Sequence, residues 1–77
     1  PKFVFTRSLY LGVQGEDIKK LQEFLAKDRS IYPEGLITGY YGRLTQQAVI
    51  RFQAKYGIPQ LGIVGPLTRA KINELIK

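Results

Sequence analysis

The sequence contains no cysteine, histidine, methionine or tryptophan. Without cysteine no disulfide staples the chain and no thiolate can act as a nucleophile. Without histidine there is no imidazole base, and the usual zinc ligand sets are excluded as well. Acidic residues are scarce, six against twelve Lys and Arg, which leaves a net charge of +6. No apolar run exceeds three residues, Phe3-Val4-Phe5 being one of them; a membrane span needs about 20. No leader segment is recognisable. The chain opens at Pro1 and not Met, so that observation says nothing about its compartment.

What is present fits one small domain. Seventy-seven residues at 44% hydrophobic content are too apolar for a disordered tail, yet close to the size at which a single core is marginal. We expect one domain over residues 1–77, with 1–8 as an N-terminal extension and 9–77 as its body.

Three times the sequence writes Gly-x-x-Gly and then turns helical: Gly12-Val13-Gln14-Gly15, Gly39-Tyr40-Tyr41-Gly42 and Gly62-Ile63-Val64-Gly65. The second and third copies align at an offset of 23, matching Gly39, Gly42, Leu44 and Thr45 to Gly62, Gly65, Leu67 and Thr68. Such repetition argues for a repeated structural unit. The first helix is expected over Glu16–Leu25, with Ile18, Leu21 and Leu25 on one face and Phe24 widening it. Glu16 and Asp17 suit its positive N-terminal end. The second helix is expected from Arg43 through Gln53, with Ala48, Val49 and Phe52 inward and Gly57 as its stop. The third, over Pro66–Leu75, starts with proline where a missing N–H costs little; Thr68, Ile72, Leu75 and Ile76 form its apolar face. Pro33-Glu34-Gly35 reads as a tight turn. Ile37 and Ile63 are expected in short extended pieces, and the alternating Phe3-Val4-Phe5-Thr6 is expected to cover one side. The fold class is all-α, a compact three-helix bundle with a Gly-x-x-Gly loop before each helix.

The ordered set Gly-x-x-Gly-x-Asp17-Ile18-x-x-Leu21-Gln22-x-Phe24-Leu25, then Ile37-Thr38-Gly39-Tyr40-Tyr41-Gly42-x-x-Thr45-x-x-Ala48-Val49-x-x-Phe52-Gln53, then Gly62-Ile63-Val64-Gly65-Pro66-x-Thr68-Arg69-x-x-Ile72-Asn73, resembles the peptidoglycan-binding domain of cell-wall hydrolases. The resemblance runs from Leu9 to Leu75. It implies a three-helix, non-catalytic module that holds an attached hydrolase domain on the bacterial wall, outside the cytoplasm, with no cofactor. Many members have Asp where Thr38 stands and Pro where Arg43 stands, so the expected binding loop departs from the family pattern. The same fold serves as the propeptide of secreted metalloproteases, which block the metal with a cysteine that this chain lacks.

Peptidoglycan offers sugar rings with apolar faces, acetamides, peptide amides and free carboxylates. A binder needs an exposed aromatic, amide or hydroxyl groups, and cations. Around the second Gly-x-x-Gly the chain supplies Tyr40, Tyr41, Arg43, Thr45 and Gln46, and one repeat later Arg69; these six are the candidate ligand-binding residues. Structural roles compete for several of them. Tyr41 aligns with Val64 and reads as core, whereas Tyr40 is displaced by one position and reads as exposed. Thr45 and Thr68 are expected to bond the local backbone. Gln22, Gln53 and Asn73 are expected to tie loop backbones to helices.

Other function classes fit less well. A basic three-helix domain can read nucleic acid, but the cations are spread over all three helices, and the Gly-x-x-Gly of KH domains comes with a sheet absent here. Glycoside hydrolysis needs two carboxylates flanking a cleft, and the acids show no such pairing. A spacer or protein-interaction module that kept the fold without a ligand stays open. The expected partner is therefore peptidoglycan, with no nucleic acid, no membrane and a monomeric state.

Overall fold

The computed structural model describes residues 3–76. Three helices follow in order, α1 (Glu16–Ala26), α2 (Arg43–Lys55) and α3 (Pro66–Leu75). Each starts on the second glycine of a Gly-x-x-Gly, which serves as an N-cap without a side-chain hydrogen bond. The first glycine of the later two copies is the one that needs to be glycine. Gly39 and Gly62 sit at φ +81° and +72°, a region that costs any side chain. A Cβ on Gly39 would meet the Lys19 stem at 3.2 Å, and one on Gly62 would meet Gln46 and Ile50 at 3.1 and 3.3 Å.

The core gathers Ile18, Leu21 and Leu25 from α1, Ala48, Val49 and Phe52 from α2, and Ile72 from α3. Between them lie Leu9, Tyr41 and Val64, none of which has any exposed surface. α2 runs two residues further than expected, and Gly57 ends it at φ +70° with the Ile58 N–H returning to the Gln53 carbonyl at 2.9 Å. Gly35 is also left-handed, which fits the expected turn at Pro33-Glu34-Gly35. Among the described residues no helix is long and apolar enough to cross a membrane.

Outside the helices the chain pairs sparingly, and Leu75 departs from the expected apolar face of α3. No strand forms among the described residues; the extended contacts are two isolated antiparallel bridges, Leu9 with Val64 and Gln14 with Tyr40. Ile37 and Ile63 stand beside them, more than 40% exposed, because pairing falls on the neighbours whose backbones face the Leu9–Gly15 segment. Phe5, placed in the expected N-terminal extension, is part of the core at 3% exposure and packs edge-on against Phe3 at 4.8 Å. Pro1 and Lys2 of that extension, and Lys77, lie outside the described residues. Leu75 is 40% exposed and not core, since α3 ends there and its last turn reaches the rim of the bundle.

Loops are tied to helices by interior amides. Gln22, 1% exposed, accepts the N–H groups of Thr38 and Gly39 at 2.8 and 3.0 Å. It donates to the Tyr40 carbonyl and the Thr45 hydroxyl oxygen, both at 3.0 Å. Gln53 repeats the arrangement one unit later: it accepts the Gly62 N–H at 3.0 Å and donates to the Ile63 carbonyl at 2.9 Å and Thr68 Oγ1 at 3.1 Å. Asn73 closes the set by clasping both backbone groups of Phe5. The threonine hydroxyls therefore serve the glutamine amides and not their own backbone as expected, because in a dry interior the amide is the partner within reach.

A domain of this length has about 4–12 kcal/mol of stability. Gln22→Leu would leave the buried Gly39 N–H without a partner, at about 2–4 kcal/mol in total. Urea denaturation should show that loss for Gln22→Leu and for Gln53→Leu, while the exposed Gln47→Leu stays within about 0.5 kcal/mol of the parent.

Candidate functional site

The clasp on Thr38–Tyr40 shapes a shallow groove of about 230 Å³ between that loop and the start of α2. Its floor is the Gln22 amide and Thr45, and its walls are Leu36, Tyr40, Arg43 and Leu44. Tyr32 backs the wall, its hydroxyl donating to the Leu36 carbonyl at 2.6 Å and fixing the 32–36 turn. The Tyr40 ring lies over Gly42, where a Cβ would stand 3.4 Å from two ring carbons, and the residue keeps 47% of its surface exposed. Arg43 is exposed at the first position of α2.

Of the six candidate residues, Tyr40, Arg43 and Thr45 meet at this groove. Thr45 is 2% exposed and its oxygen is engaged by Gln22, so it supports the floor and does not present itself to a ligand. Tyr41 is withdrawn altogether. It is fully buried, and its hydroxyl donates to the Gly62 carbonyl at 2.8 Å, joining the second loop to the third. Burial pushes its phenol up from the usual value. Gln46 is half-buried against the Gly62 loop, and Arg69 on α3 donates to Ser8 Oγ at 2.9 Å; neither lines the groove. Alternation between neighbours explains the tyrosines: Tyr41 must face the core because Val64 does, which turns Tyr40 outward.

Sequence reasoning missed Leu36 and Leu44, and it marked Thr38 only as a departure from the family pattern near the loop. A signal existed for Leu44. Leu44 and Leu67 occupy the same repeat position and lie off the apolar face of their helices, and both are exposed, at 43% and 67%. The matching depression at the start of α3 holds about 120 Å³ and is walled by Leu61, Ile63, Pro66 and Leu67. A third, of about 180 Å³, opens between Phe24, Phe52, Tyr56 and Leu75.

Two of the carboxylates are held in short ion pairs. Asp17 takes a two-point contact from Arg7 at 2.6 and 2.9 Å, which holds it below the ordinary carboxylate range. Asp28 is held at about 2 by Lys55 at 2.7 Å and by Ser30. Among the described residues no three His, Cys, Asp or Glu side chains cluster in a way that could hold a metal ion.

The two tyrosines should respond differently to substitution. Tyr41→Ala should cost about 3–5 kcal/mol, and Tyr40→Ala should stay within about 0.5 kcal/mol, both read from urea midpoints. Because the folded state raises the Tyr41 pKa above the unfolded value near 10, its contribution is intact below pH 10 and declines as pH rises beyond it. Alkaline melts of Tyr41→Phe should lose that part of the decline.

The family model for the peptidoglycan binding domain matches residues 14–72. The zinc D-Ala-D-Ala carboxypeptidase of Streptomyces albus G is 36% identical over 73 residues, 95% of this chain and 29% of that protein. The N-acetylmuramoyl-L-alanine amidase CwlL of Bacillus licheniformis is 39% identical over 70 residues, 84% of this chain and 19% of that protein. The chain thus spans less than a third of the length of these relatives. The crystal structure of the SleB N-terminal domain superposes with a TM-score of 0.84 at 29% identity, covering 97% of this chain and all of that one.

Proposed function

The chain belongs to the peptidoglycan binding domain family, a non-catalytic module, and from that premise we propose that it binds peptidoglycan through the groove between the Thr38–Tyr40 loop and α2. In this reading it works as a monomer outside the cytoplasm and holds an attached wall-acting domain near its substrate. The observation that carries the reading is Tyr40: an aromatic ring, 47% exposed, fixed by a loop whose backbone is clasped from inside by Gln22. A ring held in place loses little freedom when a sugar or peptide face stacks on it.

The net charge of +6 adds a second, less selective attraction. Exposed cations act over about 8–10 Å at physiological salt, so anionic wall polymers concentrate the domain near the surface without fixing its orientation. Stacking in the groove is far less sensitive to salt. The two contributions separate on that basis, and so does the nucleic-acid alternative, where phosphate contacts make binding fall steeply with salt.

Co-sedimentation with purified sacculi tests this. The domain should pellet with sacculi at low and moderate salt and release no soluble muropeptides over time. Tyr40→Ala should weaken retention roughly fivefold, the equivalent of about 1 kcal/mol of stacking, with an unchanged melting temperature. Protein that stays in the supernatant at all salt concentrations would leave the spacer-module reading in its place.

A further inference from the structure

The groove holds one charged side chain, Arg43, and no acid. None of the other four arginines lines the groove, and three of them are committed elsewhere: Arg7 to Asp17, Arg51 to the Ile31 carbonyl, and Arg69 to Ser8. Among the described residues no ion pair or side-chain hydrogen bond engages the Arg43 guanidinium. Its neighbours in the wall, Leu36, Tyr40 and Leu44, are apolar surfaces exposed at 52%, 47% and 43%. The polar atoms of the floor are already spent, since Gln22 and Thr45 bond each other and the loop.

The chain carries its own comparison. At the start of α3 a matching amide clasp and threonine build a smaller cradle, but Thr38, Tyr40 and Arg43 are replaced by Leu61, Ile63 and Pro66. No charged residue lines that second depression. The cation in the first groove is therefore not a requirement of the scaffold, which closes equally well over proline. Its presence points to the ligand.

From this we infer that the groove recognises a free carboxylate set beside a small apolar side chain, the chemistry of the alanyl carboxyl end of the wall's stem peptide and not of the uncharged sugar strand. The inference rests on the wall-binding reading and names the part of the polymer that enters the groove. A guanidinium can grip a carboxylate with two parallel N–H donors. The Leu36 and Leu44 side chains take the methyl groups, and the Tyr40 ring covers the peptide plane between. At about 230 Å³ the groove is smaller than the 300–1,000 Å³ typical of drug-sized ligands, which suits one or two small residues better than a disaccharide with its peptide.

Titration of the isotopically labelled domain, followed by the shifts of its backbone amide resonances, tests this with three probes: N-acetyl-D-alanyl-D-alanine, the same dipeptide with its C-terminus amidated, and chitotriose. The free acid should move the resonances of Tyr40 through Thr45 and leave those of Ile63 through Thr68 in place. Amidation of the ligand, or Arg43→Gln in the protein, should weaken binding at least fivefold, and Arg43→Lys should recover part of the loss. Each variant should melt with the parent, because Arg43 is exposed. Equal affinity for acid and amide would overturn the inference, as would chitotriose moving the same resonances at equal or lower concentration. Retention on sacculi with no response to the free acid overturns this inference alone, whereas no retention on sacculi removes the wall-binding reading as well.

Discussion

Gln22 and Gln53 are each 1% exposed, and the rest of the structure depends on what they do there. A glutamine amide taken out of water without partners is costly, so burial is tolerated only if every one of its polar atoms is met. Among the described residues no buried side-chain nitrogen or oxygen lacks a partner. That requirement works in both directions. The amide needs the loop backbone, and each loop, which has one isolated bridge and a few backbone bonds to the Leu9–Gly15 segment, needs the amide. Each clasp joins a helix to the loop that follows it and to the first turn of the next helix, through Thr45 in one case and Thr68 in the other.

A circuit results. α1 grips the loop before α2, α2 grips the loop before α3, and α3 grips the N-terminal segment through Asn73 and Phe5. The segment from Leu9 to Gly15 then threads between the two loops, bonding Val64 at one end and Gly39 at the other, with Tyr41 between. The segment before the first helix is therefore structural. Closing the chain this way supplies the long-range order that a core of this size does not provide by apolar burial alone. It also separates scaffold from surface: the clasp fixes where the backbone goes, and the residues at positions 38, 40 and 43 line the groove without closing the circuit.

Much of this was legible from residue spacing. The helices followed from apolar periodicity and the glycine pairs, and the inward Tyr41 followed from its alignment with Val64. The role of Gln22 and Gln53 in tying loops was readable because an amide beside an apolar residue on an inward face needs a partner. Less was legible where a contact joins distant positions. Nothing local says that the Thr45 hydroxyl answers Gln22, 23 residues earlier; local spacing points to its own backbone instead. Gln46 and Arg69 were grouped with Tyr40 by chemistry and repeat position, but helix rotation aims Gln46 at the next loop, and Arg69 reaches Ser8. Phe5 joins the core where Asn73, 68 residues later, holds its backbone.

Interior amides should hold these loops as firmly as helices hold their own turns. Amide hydrogen exchange at Gly39 and Gly62 measures it directly, because both N–H groups donate to a glutamine side chain and to no backbone carbonyl. Both amides should exchange within about tenfold of the interior of α2 near Phe52, reflecting opening only with the whole domain. Exchange at the rate of the exposed turn around Glu34 and Gly35 would contradict it, since the loops would then be opening independently of the bundle.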